Sequence, residues 1–435
     1  MPPKKGKLYK MPAPIPKNEV LTDTSKQKWT LGPSIGKGGF GEIYAAAEGE
    51  TAPRKESDYP YVVKIEPHEN GPLFVEKTFY LRVAKKEDVS SWKEKKKLKV
   101  FGMPVACGVG SHTCGDTKYR FLVMDRYGKD LWSLFLSCNK MFPISTVLQI
   151  SIQVLDVLEY IHSNGYVHAD IKGANLLLGL RKGTENQVYV VDFGLASRFS
   201  SSKDPKKAHN GTIEYTSRDA HVGGTTCRGD MEILAYNVVH WLSSKLPWEA
   251  VLKDPSAVQK AKETAMQNVP QFLKTCFGKK PVPDFVSKFL KYVSEMKYEE
   301  LPDYTKVRKI FMDGLKSEGV KLDSPLSFTK PLEQQNGESK KIRTSPRKTV
   351  KRGSENGSSS RSKPDSSDRE MDTNSEEEDE EGENKMKKRK VASKAKPKPT
   401  QEKKVSWRDC PTVKASRVER PGEFVPANPK PKKAK

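Results

Sequence analysis

The stretch with the clearest chemical potential is His168-Ala-Asp-Ile-Lys-Gly-Ala-Asn175. It brings a carboxylate, an ammonium group and an amide together within six residues, at Asp170, Lys172 and Asn175. A carboxylate there can accept or orient a hydroxyl proton, a lysine can neutralise a moving phosphoryl group, and an amide oxygen can ligate a metal ion. The pattern predicts phosphoryl transfer. For His168 we expect a structural role, because packing or a backbone hydrogen bond is commoner than catalysis.

A second acidic group follows an apolar run at 188–191, in the tripeptide Asp192-Phe-Gly. Hard carboxylate oxygens are suited to Mg²⁺, so Asp192 is predicted to be the main metal ligand, with Asn175 as a second one. The alternative is an aspartate that merely caps a turn. The spacing of Asp192 after Asn175 favours the metal ligand.

Glycines between two strand-like runs predict a loop that lies over phosphates. Without side chains, the hairpin can bend over a nucleotide and offer backbone N–H groups to it. A Rossmann fingerprint is disfavoured because that motif opens a helix, whereas residues 42–44 continue as a strand. The residues of this loop that we expect to bind the nucleotide are Gly36, Gly38, Gly39, Phe40, Gly41 and Ile43.

Lys64 lies in the apolar run Val62-Val-Lys-Ile65, where an unpaired ammonium group would be costly to bury. Glu76, twelve residues later on a predicted helix, is the expected counter-charge, and the pair would hold the lysine toward the phosphates. Lys64 and Glu76 are therefore added to the nucleotide site, and Lys64 also to the catalytic group. The alternative is a solvent-facing lysine and an unrelated glutamate.

Hydrophobic periodicity predicts a β-rich first part and a helical second part, an α+β architecture. Strands are expected at 29–32, 42–45, 61–65, 99–101, 119–124, 176–178 and 188–191. Helices are expected at 73–82, at 85–99 as a solvated insertion, at 148–161, at 231–242 and onward to about residue 315. The predicted organisation is a flexible segment at 1–24, one domain at 25–320 with lobes at about 25–124 and 129–320, and a tail at 321–435.

The tail is predicted to be disordered. From residue 331 on, the aromatic residues are Trp407 and Phe424, against 28 basic and 18 acidic residues, which is too little apolar surface to offset chain entropy. The whole chain carries a net charge of +23, which favours contact with nucleic acid or acidic proteins, with simple solubility as the alternative. No apolar leader or run of eighteen apolar residues occurs, and the six cysteines show no metal-ligand spacing, so we expect a soluble intracellular protein.

Taken in order, these motifs resemble those of the protein kinase superfamily, over roughly residues 29–315. The stretches Gly211-Thr-Ile-Glu-Tyr-Thr-Ser-Arg-Asp-Ala-His and Leu246-Pro-Trp are similar to the casein kinase group. Asn70-Gly-Pro-Leu-Phe-Val-Glu and Lys172-Gly-Ala-Asn resemble the vaccinia-related kinases, especially their nuclear, chromatin-associated branch.

The resemblance implies a bilobal kinase fold that binds ATP and Mg²⁺ between its lobes. It implies Met124 as the gatekeeper, Asp125 to Tyr127 as the hinge, and Asp230 as a brace for the catalytic loop. It also implies a monomeric nuclear serine/threonine kinase whose substrates include histone tails and the barrier-to-autointegration factor. The serine/threonine class is implied by Lys172.

Two positions depart from the family pattern. Ala169 replaces the arginine that pairs with a phosphorylated activation loop, so we expect activity without that phosphorylation. The glutamate that usually ends the activation segment is missing, which leaves Asp219 as its substitute.

In the tail, Lys387-Lys-Arg-Lys has the composition of a nuclear localisation signal, and the basic blocks are expected to contact DNA or the nucleosome. A solvated linker is the alternative. Two further functions remain open at this point: a catalytically silent kinase-like scaffold that binds chromatin through the tail, and a DNA-binding protein without chemistry.

Overall fold

The computed structural model describes residues 13–38 and 41–328 of the 435-residue chain. The first lobe is built on a six-stranded antiparallel sheet in the order β1-β2-β3-β4-β6-β5. Both faces of the sheet are apolar: Phe121 and Val123 belong to a core formed within this lobe, and Leu122 and Met124 belong to the core that continues into the second lobe. The strands are β1 (Val20–Thr22), β2 (Lys28–Lys37), β3 (Glu42–Glu48), β4 (Tyr61–Pro67), β5 (Ala106–Cys114) and β6 (Thr117–Asp125).

Two helices cross this lobe, α1 (Pro72–Val83) and α2 (Lys86–Lys95). Pro72 stands in the first turn of α1, where its missing N–H costs nothing. The lysine-rich helix α2 has no buried residue, as expected of a solvated insertion. The half-buried ring of Trp92 nevertheless packs edge-on against Tyr160 of the second lobe, with 5.3 Å between centroids, and thereby anchors the insertion.

The second lobe is mainly helical, as predicted, so the α+β bilobal fold is confirmed. Four short strands form two small two-stranded sheets: β7 (Tyr166–Val167) pairs with β10 (Ser197–Arg198), and β8 (Leu176–Leu178) pairs with β9 (Val188–Val190). The helices are α3 (Leu131–Ser137), α4 (Ile144–Ser163), α5 (Arg218–His221), α6 (Cys227–Ser243), α7 (Pro255–Gln267), α8 (Val269–Phe277), α9 (Asp284–Glu295) and α10 (Tyr304–Ser317).

The helices α4 and α6 form the centre of this lobe. Sixteen of the twenty residues of α4 are buried, because the helix packs against α6, α10 and the strands β7 and β9 of the two small sheets. Among the described residues, α4 is the one helix that is long and apolar enough to span a membrane. However, 83% of its most apolar 18-residue stretch is buried inside the fold. That burial is what the core helix of a folded domain shows.

Three predictions of organisation are wrong. The predicted flexible segment 1–24 includes β1, whose Leu21 is fully buried, and Ile15, whose N–H donates to the Tyr44 hydroxyl at 3.0 Å. No strand forms at 99–101, because Phe101 is buried in the core and the carbonyls of Phe101 and Gly102 accept from the Gln187 side chain and the Val190 N–H, not from the six-stranded sheet. The strand of that region is β5 instead, five residues later.

The third concerns the start of the tail, because residues 321–328 pack on the second lobe. Gln149 donates its side-chain amide to the Ser324 carbonyl at 2.7 Å, and the Cys138 thiol lies 2.8 Å from the Phe328 carbonyl. The Phe328 ring meets Phe142 edge-on at 5.4 Å. Polar and apolar contacts thus extend the domain to at least residue 328, and the predicted disorder of 329–435 lies outside the described residues.

Candidate active site

Asp230 of helix α6 holds the backbone of the loop 168–175, which lies between β7 and β8, by hydrogen bonds to its first two residues. One Asp230 carboxylate oxygen accepts the N–H of His168 at 2.7 Å, and the other accepts the N–H of Ala169 at 2.8 Å. His162 Nε2 lies 2.8 Å from the same carboxylate. These contacts fix a backbone that has a positive φ of 66° at Ala169, and the brace expected of Asp230 is present.

Asp170 lies at the centre of a buried polar cluster that contains all three predicted residues of its loop. One of its oxygens lies 2.9 Å from Lys172 Nζ and accepts the Asn175 amide at 3.2 Å. Its other oxygen accepts the Thr212 N–H at 3.0 Å and the Thr212 hydroxyl at 2.7 Å. Lys172 in turn donates to the Thr212 hydroxyl at 2.8 Å. The carboxylate is therefore oriented by four donors.

The place of Thr212 in this cluster is the main feature that sequence reasoning missed. Gly211-Thr212 opens the stretch that resembles the casein kinase group, but the sequence predicts no role for the threonine. Its fully buried hydroxyl bridges two predicted catalytic groups that lie about forty residues earlier. Gly211 makes this approach possible with a φ of 98°, and a Cβ atom there would stand 2.9 Å from the Ala169 carbonyl oxygen.

Asp192 follows β9 and faces the two predicted lysines. The surface of Asp192 is exposed to solvent, and partial desolvation by the surrounding protein would raise the pKa of its carboxyl, but the ammonium groups of Lys64 and Lys172 outweigh that effect and lower it. Asp192 is thus ionised at neutral pH. The next residue, Phe193, is fully buried and stacks on Phe79 of helix α1 with ring centroids 4.1 Å apart. This stacking ties the position of Asp192 to that of α1.

Lys64 on β4 and Glu76 on α1 form the predicted ion pair. Lys64 Nζ lies 2.7 Å and 3.0 Å from the two Glu76 oxygens, and the glutamate side chain is only 4% exposed. Burial tends to lower the pKa of Lys64, but the carboxylates of Glu76 and Asp192 outweigh it and raise that pKa. The lysine therefore stays charged and directed between the two lobes.

The predicted phosphate loop is the β2–β3 hairpin. Gly36 is the last glycine of β2, and the Gly38 N–H donates to the Gly41 carbonyl at 2.7 Å across the turn. Gly41 has to be glycine, because a Cβ atom there would lie 2.3 Å from the Ile65 carbonyl oxygen of β4. Ile43 pairs with Lys64 in the sheet. The predicted residues Gly39 and Phe40 lie outside the described residues.

The predicted hinge follows β6. Met124 is buried and pairs with Val62 of β4, beside Lys64. The Asp125 carboxylate is turned toward Arg181, at 2.5 Å, and the Tyr127 ring stacks on Tyr189 of β9 at 4.1 Å. The side chains of Asp125 and Tyr127 therefore connect the lobes, and only their backbone remains for contact with a nucleotide.

Asp219 takes the position expected at the end of the activation segment. Its carboxylate forms two hydrogen bonds with the Arg228 guanidinium group of α6, at 2.7 Å and 2.8 Å, and accepts the Thr226 hydroxyl at 2.6 Å. A paired, charge-assisted contact of this kind holds the segment against α6. Asp219 is thus placed to substitute for the missing glutamate.

Comparison with known proteins agrees with this geometry. A family model described as the protein kinase domain matches residues 56–298. Nucleosomal histone kinase 1 of Drosophila melanogaster is 51% identical over 74% of this chain, and the human serine/threonine-protein kinase VRK2 is 44% identical over 76%. The solved structure of vaccinia related kinase 3 covers 74% of this chain and 97% of its own, with a TM-score of 0.63 and 27% identity. The chain belongs to the vaccinia-related kinases, a family of protein kinases.

Coverage of the vaccinia-related relatives is uneven. The match spans 54% of the fly protein and 64% of VRK2, whereas it spans 97% of B1 kinase from vaccinia virus strain Ankara, at 36% identity. In this vaccinia-related kinase the family model begins at residue 56, after the glycine-containing hairpin. The hairpin nevertheless belongs to the same sheet as Lys64, because β3 pairs with β4.

Proposed function

We propose that this chain is a serine/threonine protein kinase that transfers the γ-phosphate of ATP to hydroxyl groups of nuclear, chromatin-associated proteins. One observation carries the proposal: the oriented carboxylate of Asp170 lies with Lys172 and Asn175 in one cluster, and Asp192 faces both Lys172 and the Lys64–Glu76 pair. Lys64 and Asp192, which are 128 positions apart in the chain, therefore contribute to one charged site. A kinase requires this convergence.

In this proposal Asp170 receives or orients the proton of the acceptor hydroxyl. Thr212 and Asn175 keep its carboxylate in one orientation, so that little reorganisation is needed when the hydroxyl arrives. Lys172, already 2.9 Å from Asp170, neutralises negative charge as the phosphoryl group moves. Lys64, held by Glu76, orients the phosphates on the nucleotide side.

The donor set fits a magnesium nucleotide. Asp192 is ionised, and the Asn175 amide nitrogen is committed to Asp170, which leaves the amide oxygen as a ligand. Both are hard oxygen donors, as Mg²⁺ prefers. Magnesium bound there would neutralise charge on the phosphates. The remaining nucleotide contacts would come from the hairpin around Gly36, Gly38 and Gly41 and from the hinge backbone.

The proposed substrates are histone tails and the barrier-to-autointegration factor, and the proposed location is the nucleus. The relative named nucleosomal histone kinase 1 supports this choice. The basic residues at 385–398 would direct nuclear import and contact DNA or the nucleosome. We propose that the protein acts as a monomer.

We further propose that the kinase works without phosphorylation of its activation loop. Ala169 supplies no guanidinium group to pair with a phosphate. Thr212, the first threonine after Gly211, is buried and already bonded to Asp170 and Lys172, so its hydroxyl is engaged inside the active site. A large rise in rate on phosphorylation of this segment would contradict the proposal.

The proposal is tested with labelled ATP, Mg²⁺ and a histone mixture, using the full chain and its Lys64→Ala and Asp192→Ala variants. We expect transfer by the wild type and loss of at least a hundredfold in both variants. Lys118→Ala is the matched control, because Lys118 is an exposed lysine on the neighbouring strand β6. A wild type that binds chromatin but transfers no phosphate would instead support the silent scaffold.

A further inference from the structure

A lysine on helix α7 is buried completely. Lys262 is 0% exposed, and its Nζ donates to the carbonyls of Ile213 at 2.6 Å and Thr216 at 2.7 Å. It also lies over the rings of Trp248 and Tyr236, 5.2 Å and 5.3 Å from their centroids. Burial lowers the pKa of Lys262 well below its usual range, and the two carbonyls and two rings offset part of the cost of burying this polar group. Its partners are therefore the reason that this position tolerates lysine.

The two carbonyls belong to a turn at 212–216. This turn is part of the activation segment and lies shortly before Asp219, the residue expected to end that segment. Within the turn, the Thr212 carbonyl accepts the N–H groups of Tyr215 and Thr216, both at 2.8 Å. Three further carbonyls of the turn accept hydrogen bonds from side chains elsewhere in the chain. Lys262 holds the first and last of them, and the Trp248 indole donates to the Glu214 carbonyl between them at 2.8 Å. The shape of the turn therefore depends on α7 and on the residues before it.

The turn begins at Thr212, which is also a member of the buried polar cluster around Asp170. Thr212 bonds both Asp170 and Lys172, and the neighbouring residue Ile213 bonds Lys262. A displacement of the turn would pull the Thr212 hydroxyl away from the carboxylate that it orients. Contacts from α7 thus reach the active site through a single intervening residue.

A purely space-filling role does not account for Lys262. An apolar side chain of similar volume would fill the gap between two aromatic rings without any desolvation cost. The lysine instead satisfies two buried carbonyls that would otherwise lack a donor. It also lies 3.4 Å from His221 Nε2, on the short helix α5 that follows the turn. Its contacts therefore converge on the activation segment from both sides of residue 216.

We propose that Lys262 is a positioning residue that holds the activation segment in its active conformation and does the work for which other kinases use a phosphorylated loop. The inference rests on the proposed kinase function and adds to it the group that makes phosphorylation unnecessary. Ala169 offers no arginine to this segment, whereas Lys262 of helix α7 bonds directly to its carbonyls at Ile213 and Thr216.

The test compares the full-length Lys262→Met variant with Lys260→Met, in which an exposed lysine of the same helix is changed. Three quantities are measured: kcat for a histone substrate, the dissociation constant for Mg-ATP, and hydrogen exchange of amides 211–217 relative to those of α4. We expect Lys262→Met to lower kcat at least tenfold, to speed exchange at 211–217, and to leave ATP affinity within twofold. Lys260→Met should change none of these.

A second variant covers the case in which Lys262→Met does not fold. Trp248→Phe keeps an aromatic ring but removes the donor to Glu214, and it should lower kcat about threefold or more with the same local increase in exchange. Unchanged kcat and exchange in a folded Lys262→Met protein would overturn the inference. Parallel losses of ATP affinity and of protection in α4 would also overturn it. If the wild type transfers no phosphate, the proposed function fails, and the exchange data alone decide whether Lys262 orders the segment.

Discussion

Replacement of Thr212 by valine should separate orientation of Asp170 from nucleotide binding. Valine has nearly the same shape as threonine but lacks the hydroxyl that lies 2.7 Å from Asp170 and 2.8 Å from Lys172. Hydrogen bonds to charged groups contribute about 1.5–3 kcal/mol each. The Thr212 N–H still donates to Asp170 at 3.0 Å, so the carboxylate keeps three of its four donors.

Loss of one such bond in the transition state corresponds to about a tenfold to hundredfold decrease in kcat, since about 1.4 kcal/mol is a factor of ten. The KM for ATP should stay within about twofold of the wild-type value, because Lys64 and Asp192 are untouched. Steady-state kinetics with a histone substrate measure both constants. Thr212→Ser, which keeps the hydroxyl, is the matched control and should retain most of the activity. A valine variant with wild-type kcat would refute the argued role of the hydroxyl.

Three further predictions concern stability and the tail. Burial raises the pKa of Glu66 to about 7 from its ordinary 4.5, so the folded state binds the proton more tightly than the unfolded state does. The free energy of unfolding of the wild type should therefore fall as the pH rises from 4.5 to 7. The free energy of unfolding of Glu66→Gln relative to wild type should therefore increase by about 3 kcal/mol between pH 4 and pH 8, and denaturant titrations that show a constant difference would contradict this. Leu21→Ala should lower the free energy of unfolding by about 2–5 kcal/mol and the exposed neighbour Thr22→Ala by less than about 0.5 kcal/mol; equal effects would argue against the packing of β1. Deletion of residues 385–435 should flatten the salt dependence of binding to nucleosomes measured by gel shift, and an unchanged slope would argue against electrostatic contact by the tail.

Local sequence was a good guide where chemistry and periodicity coincide. The strand that carries Lys64, the helix that carries Glu76 and the loop with Asp170 and Asn175 lie where their patterns predicted them. Prediction was weaker for short segments whose order comes from distant partners. The strand β1 is only three residues long, and its pairing with β2 depends on burial of Leu21, which its own sequence does not show.

The beginning of the tail illustrates the same limit. Residues 321–328 form neither a helix nor a strand and follow the last predicted helix, so the sequence alone places them with the tail. Their order comes from side chains of α4, among them Gln149, which donates to carbonyls at 322 and 324 from more than 170 residues away. Such contacts can order a backbone segment that has no hydrophobic periodicity, and the sequence of the segment does not predict them.

From the sequence we could predict phosphoryl transfer and the groups proposed to perform it, because the spacing of a carboxylate, an ammonium group and an amide within one loop is fixed by covalent connectivity. It also determined the lobes, since hydrophobic period follows from the geometry of strands and helices. Three contacts became evident only in the folded structure: Thr212 bonds to Asp170, Asp219 pairs with Arg228, and the buried Lys262 bonds to the turn at 212–216. Those contacts depend on where separate elements pack, and packing is settled only when the whole chain has folded.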